Sequence, residues 1–177
     1  AEAGLVTVIL PAPPRLTLGQ LSSAVAAVTA AHPELTLTPQ RWAPGFWDYT
    51  QTPAAPVTVL AAGADDEQLR AAADPAGSFA AAWSPGLRQD PGVLALSAHP
   101  LVVDEPGRAL LRRDFEAAFA DIAAGRPIHV KPAPAPTQLA ADAADRALSA
   151  PVLAQLDDWT ALAAEATAPT PAPDVVR

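Results

Sequence analysis

Chemistry at a protein site needs a side chain that can move a proton, attack a carbon or hold a metal, and this sequence offers few. It contains three histidines and no cysteine, so disulfides, thiolate zinc sites and cysteine nucleophiles are excluded. His32 follows the end of a helical pattern, where a cation complements the helix dipole, an ordinary structural placement. His129 lies beside a proline-rich strap with no acidic neighbour in sequence and reads as solvated. His99 stands apart. It opens His99-Pro100-Leu101-Val102-Val103-Asp104, between an apolar strand pattern and a strong helix pattern. Strand-to-helix junctions are a common place for functional side chains, although a lone histidine there is more often structural. No metal or cofactor is expected.

The elements that must position these residues alternate between strand and helix. Leu5 to Leu10 is rich in β-branched residues and stops at Pro11, a strand. Thr17-Leu18-Gly19-Gln20 fits a capping box, and Leu18, Leu21, Val25 and Val28 share the apolar face of a helix ending near Ala31. Leu35 to Thr38 alternates as a half-buried strand would. Residues 39–56 carry Trp42, Phe46, Trp47 and Tyr49 among Gly and Pro, predicting a loop or ragged hairpin whose aromatics cover a sheet edge. Val57 to Leu60 is a strand candidate, and Asp65 or Asp66 can cap a short helix through Leu69 to Ala73. Residues 77–92 are mixed, with one helical turn expected around Phe79 and Trp83.

Val93 to Ala98 predicts a buried strand. Residues 107–124 form the clearest helix, with Leu111, Phe115, Ala118 and Ile122 on one face and Gly125 and Pro127 ending it. Lys131 to Pro136 is extended. Two helices are expected over Leu139–Leu148 and Val152–Ala164. Residues 167–177 read as a Pro/Ala-rich disordered tail or linker, leaving 1–166 as the folded part.

Length and charge bound the class. A chain of 177 residues fits one domain with a sizeable core. Eleven Lys and Arg against 19 Asp and Glu give a net charge of −8, which opposes binding to nucleic acid or to an anionic membrane surface. No apolar run is long enough to span a bilayer and no leader is visible, so a cytoplasmic location is expected.

Residues 93–119 carry a resemblance. They resemble the core motif of the condensation and epimerization superfamily of nonribosomal peptide synthetases, His-His-x-x-x-Asp-Gly, preceded by an apolar strand and followed by a helix. Here it reads His99-Pro100-Leu101-Val102-Val103-Asp104-Glu105. Leu110 to Phe119 looks like the helix that follows, and Ala123-Ala124-Gly125-Arg126-Pro127 like its exit. Ala31-His32-Pro33-Glu34-Leu35-Thr36 is similar to the end of the first helix and its Arg-His-x-x-Leu-Arg-Thr motif. Residues 137–162, with Leu153, Leu156, Asp157 and Trp159, resemble the helices that end the N-terminal lobe, in a form closer to epimerization domains. The resemblance implies an α/β fold, a single lobe of chloramphenicol-acetyltransferase type with helices packed on a mixed sheet.

Departures from the motif shape the functional expectation. The family's catalytic histidine is the second of the pair, and here that position is Pro100, which has no ionisable group. The family's motif aspartate pairs with an arginine; Asp104 is present, but the matching arginine position is Thr36. The motif glycine is Glu105. With no catalytic residue assigned and His99 read as structural, the chain is expected not to be an enzyme. It is expected to be a truncated, degenerate lobe that serves a peptide or hybrid assembly line as spacer, docking or recruitment platform. Its partners would be neighbouring synthetase domains or a carrier protein with a phosphopantetheine arm, met at a surface around Arg108, Arg112 and Arg113. One alternative is half of a working condensation or epimerization enzyme completed by a second lobe. Another is an unrelated binding module that grips a ligand or peptide with its aromatic loop from Trp42 to Tyr49, a reading that a fold without the acetyltransferase-like lobe would favour.

Overall fold

The computed structural model describes residues 5–165 apart from 45, 54, 75 and 76; the expected tail at 167–177 lies outside the described residues. By their contacts the residues divide into two compact units, 1–135 and 136–177.

In the first unit, strands β1 (Val6–Ala12), β4 (Thr58–Val59), β5 (Phe79–Ser84) and β6 (Gly92–Ala98) form a mixed sheet in the order β1-β6-β5-β4. β6 pairs antiparallel with both β1 and β5, and β4 runs parallel to β5. Helices α1 (Leu18–Ala31) and α3 (Glu105–Ala123) cover one face of the sheet, and α2 (Asp66–Ala72) covers the other. The alternation of side chains along a strand sorts the core accordingly. Val8, Leu10, Leu94, Leu96 and Trp83 meet Leu21, Val28, Leu111 and Phe115 on the thick side. Ala82 and Ala95 meet Leu69 and Ala73 on the other, where small side chains let α2 lie close.

Helix ends are specified locally. Thr17 and Gln20 form the capping box of α1, and Asp65 and Gln68 form one for α2. At the end of α3, Gly125 takes φ +65°. Its N–H reaches the Ile122 carbonyl and the Arg126 N–H reaches that of Asp121, the Schellman arrangement that glycine favours.

Several expectations are corrected. β1 does not stop at Pro11 but runs through it to Ala12. It is an edge strand, where a residue without an N–H is tolerated. Residues 35–36 are not strand: Pro33–Thr36 is a 3₁₀ turn, begun by the fixed φ of Pro33, and the strand β2 (Leu37–Ala43) starts after it. β2 and β3 (Phe46–Gln51) form a separate two-stranded sheet. Among its described aromatics, Trp42, Phe46 and Tyr49 do not cover a sheet edge, being 70%, 58% and 44% exposed. The helical turn expected around Phe79 and Trp83 is instead β5, all six residues of which are buried. A strand covered on both faces loses the polar alternation that would announce it.

In the second unit, α4 (Pro136–Ala147) begins earlier than expected. The expected single helix over 152–164 is two, α5 (Ala150–Leu153) and α6 (Leu156–Glu165). Among the described residues no helix is long and apolar enough to cross a membrane.

Candidate functional site

The candidate motif occupies the turn between β6 and α3. The His99 N–H is held by the Ser78 carbonyl, and the His99 carbonyl accepts from the N–H groups of Val102 (2.9 Å) and Val103 (3.1 Å). The result is a tight turn with Val103 buried beneath it. The Leu101 N–H donates to His99 Nδ1 at 3.2 Å, so in the neutral ring the proton sits on Nε2. His99 and Pro100 are both half-buried. Asp104 is the N-cap of α3, its Oδ1 accepting the Gly107 N–H at 2.8 Å. Glu105 opens the helix and pairs with Arg108. The Thr36 hydroxyl turns back to the Pro33 carbonyl at 2.7 Å. The motif's acidic residue therefore organises backbone, and its proline supplies no proton acceptor.

The charged centre of the lobe lies elsewhere, at a residue the sequence pattern presents as an ordinary helix-end cation. His32 is 1% exposed. Its Nε2 lies 2.7 Å from Asp114 Oδ2 and its Nδ1 lies 3.1 Å from Glu34 Oε1. Asp114 is itself buried and accepts from the Arg113 guanidinium on its other oxygen. The His32 pKa is raised above its ordinary value, first by the hydrogen bond to Glu34 and then by that to Asp114, against the opposing effect of burial. The imidazole ties the end of α1 to the middle of α3. A polar residue at 114 within an otherwise apolar helix face was the available signal for it. His129 likewise has an acidic neighbour that sequence distance hides: Asp121 accepts its backbone N–H at 3.1 Å. Asp121 also pairs with Arg126, and these contacts, Arg126 foremost, hold its carboxyl below the usual value.

The three candidate surface arginines do not share one role. Arg108 and Arg112 line a groove beside β1, whereas Arg113 is engaged with Asp114. Among the described residues, no group of three or more His, Asp or Glu is placed to hold a metal ion.

Fold and motif placement together define a class of architecture: a single lobe of the chloramphenicol-acetyltransferase-like fold found in condensation and epimerization domains. No protein-family model matches the sequence, and no curated protein does. Solved structures do match. The epimerization domain from the third module of tyrocidine synthetase B is similar over 98% of this chain and 43% of its own, with 18% identity and a TM-score of 0.69. A variant of the starter condensation domain of rhizomide synthetase is similar over 96% of this chain and 43% of its own, at 16% identity and a TM-score of 0.71. The X-domain solved in complex with OxyB from teicoplanin biosynthesis is similar over 98% and 41%, at 22% identity and a TM-score of 0.62. At such identities the likeness establishes the fold. The chain spans about two fifths of the length of these proteins. The reading as an unrelated binding module gains no support from this fold.

Proposed function

We propose that this chain serves a nonribosomal peptide or hybrid assembly line as a condensation- or epimerization-like lobe that binds synthetase components and transfers no proton itself. The carrying observation is Pro100. It occupies the position after His99 in a turn fixed by three backbone hydrogen bonds, where the resemblance would place the proton-transferring imidazole. Asp104 is committed to capping α3 and Thr36 to its own turn, which supports the same reading. A binding role also has a parallel among proteins of this fold, since the teicoplanin X-domain is solved with OxyB bound.

The test combines turnover with binding. The chain is offered aminoacyl groups on carrier proteins and, separately, titrated with candidate adenylation, carrier and tailoring domains. Binding without condensation or epimerization is expected. Restoring an imidazole with Pro100→His is expected not to create activity, because positioning supplies much of the rate at such sites. Turnover by the unaltered chain alone would overturn the proposal. A second reading, half of a two-lobed enzyme, is favoured by one fact: the chain spans only 43% of an epimerization domain. Adding a separately expressed second lobe distinguishes them, as turnover in that mixture would replace the first reading with the second.

A further inference from the structure

In a chain of net charge −8, three guanidinium groups gather beside the edge strand β1. Arg108 and Arg112 come from α3, Arg70 comes from α2 on the opposite face of the sheet, and with Thr7, Ile9 and Glu105 they line a groove of about 350 Å³. Among the described residues β1 pairs only with β6, leaving its other side open. Arg112 Nη2 reaches that side and donates to the Ile9 carbonyl at 2.7 Å.

This bond fixes which backbone groups face the groove. In an antiparallel pair, alternate residues turn both N–H and C=O toward the partner strand or away from it. Ile9 faces away, so Thr7 does too. The groove thus holds an open stretch of strand edge, the kind of edge onto which a further strand adds. The stretch is short, because Pro11, next in the same register, has no N–H to offer.

Charge decides which strand fits. Each arginine has a carboxylate on its own helix: Asp66 at 4.0 Å from Arg70, Glu105 beside Arg108, and Glu116 at 3.7 Å from Arg112. Exposed pairs at this helical spacing contribute little, so an incoming carboxylate can exchange with them at small cost. A neutral or basic strand offers Arg112 nothing in return for leaving the Ile9 carbonyl.

We propose that this groove docks an extended acidic peptide segment as an added strand on β1. A backbone N–H of the segment takes over the Ile9 carbonyl, and its carboxylates engage Arg112, Arg108 and Arg70. The proposal does not depend on the synthetase reading.

The experiment titrates the full chain with a blocked peptide of paired valines and paired glutamates, which puts carboxylates on both faces of the added strand, followed by calorimetry or by anisotropy of a labelled copy. Binding that weakens with added salt is expected. The same peptide with lysine for glutamate, and a version N-methylated on alternate backbone nitrogens, are each expected to bind at least about tenfold more weakly. Arg112→Gln and Arg108→Gln should weaken binding about five- to tenfold, and Arg41→Gln, on the distant hairpin, should not change it. Circular dichroism checks that each variant is folded. No binding, equal binding of the lysine peptide, or equal binding of the N-methylated peptide overturns the proposal. Displacement of the glutamate peptide by inorganic phosphate at matched ionic strength also overturns it, reducing the groove to a simple anion site.

Discussion

At the scale of single residues, the dominant electrostatic feature is the buried pair of His32 and Asp114, with the half-buried Glu34 on the other ring nitrogen. Asp114 is 5% exposed, so removing either partner leaves a desolvated polar group. Asp114→Ala is expected to cost about 3 kcal/mol, readable as a lowered denaturant midpoint. A double-mutant cycle with His32→Gln should show strong coupling. The pH dependence has a definite sign. His32 holds its proton more tightly in the folded chain than its ordinary value of 6.5, chiefly through the hydrogen bond to Glu34 and secondarily through that to Asp114. The resulting stabilisation is complete below pH 6.5 and is lost as the pH rises through the folded value. Arg113 donates to the other oxygen of Asp114. Midpoints measured from pH 6 to 9 should fall more steeply for the unaltered chain than for His32→Gln; parallel curves would place the pH dependence elsewhere.

At the scale of elements, α3 is the part on which both fold and candidate site hang. Its first turn is closed by Asp104 and its last by Gly125. Asp104→Ala should cost about 1 kcal/mol, while Asp104→Asn, which keeps an acceptor, should cost only a few tenths. If the Asn variant proves as damaging as the Ala variant, the carboxylate has a role beyond capping. Gly92 is similarly constrained, since an added Cβ would lie 2.7 Å from the Ser84 carbonyl oxygen and 3.0 Å from the Trp83 indole nitrogen. Gly92→Ala is therefore expected to lose about 2 kcal/mol by forcing β5 and β6 apart. α1 and α3 were legible in the sequence because each carries a helical period, with a capping box for α1 and a stop at Gly125 for α3, and β6 because it is a leucine- and valine-bearing apolar run ahead of a turn. β5 was not, because burial on both faces replaces alternation with a run of alanine that favours no period. The 3₁₀ turn at Pro33–Thr36 escaped for a different reason: four residues of accidental alternation imitate a strand. Within the candidate site, the motif's place between β6 and α3 was readable. The His32–Asp114 contact spans 82 positions, and the lone acidic residue on the apolar face of α3 signals only one half of it.

At the scale of the whole molecule, the distribution of burial argues that the first unit holds the cooperative fold. Every buried residue of both core clusters lies between Val8 and Phe119, with Ile128 and Val130 packed at the margin. Helices α4 and α5 bury no side chain, and Leu139, Leu148, Leu156, Trp159 and Leu162 are each more than half exposed. Apolar burial is the largest favourable term in folding, roughly 25 cal/mol per Å², so a unit without it contributes little to the free energy of the rest. A chain ending at residue 135 is therefore expected to unfold in one transition, with a midpoint near that of the full chain and a difference below about 1 kcal/mol. Helical content by circular dichroism should fall by the share that α4, α5 and α6 represent. If the shorter chain is instead unfolded, or loses several kcal/mol, the cooperative fold extends beyond residue 135. An intermediate result is also informative: two transitions in the full chain, one of them absent from the shorter one, would show that the helices fold separately. The same shorter chain keeps β1, α2 and α3 entire, so the peptide titration repeated on it should give unchanged affinity.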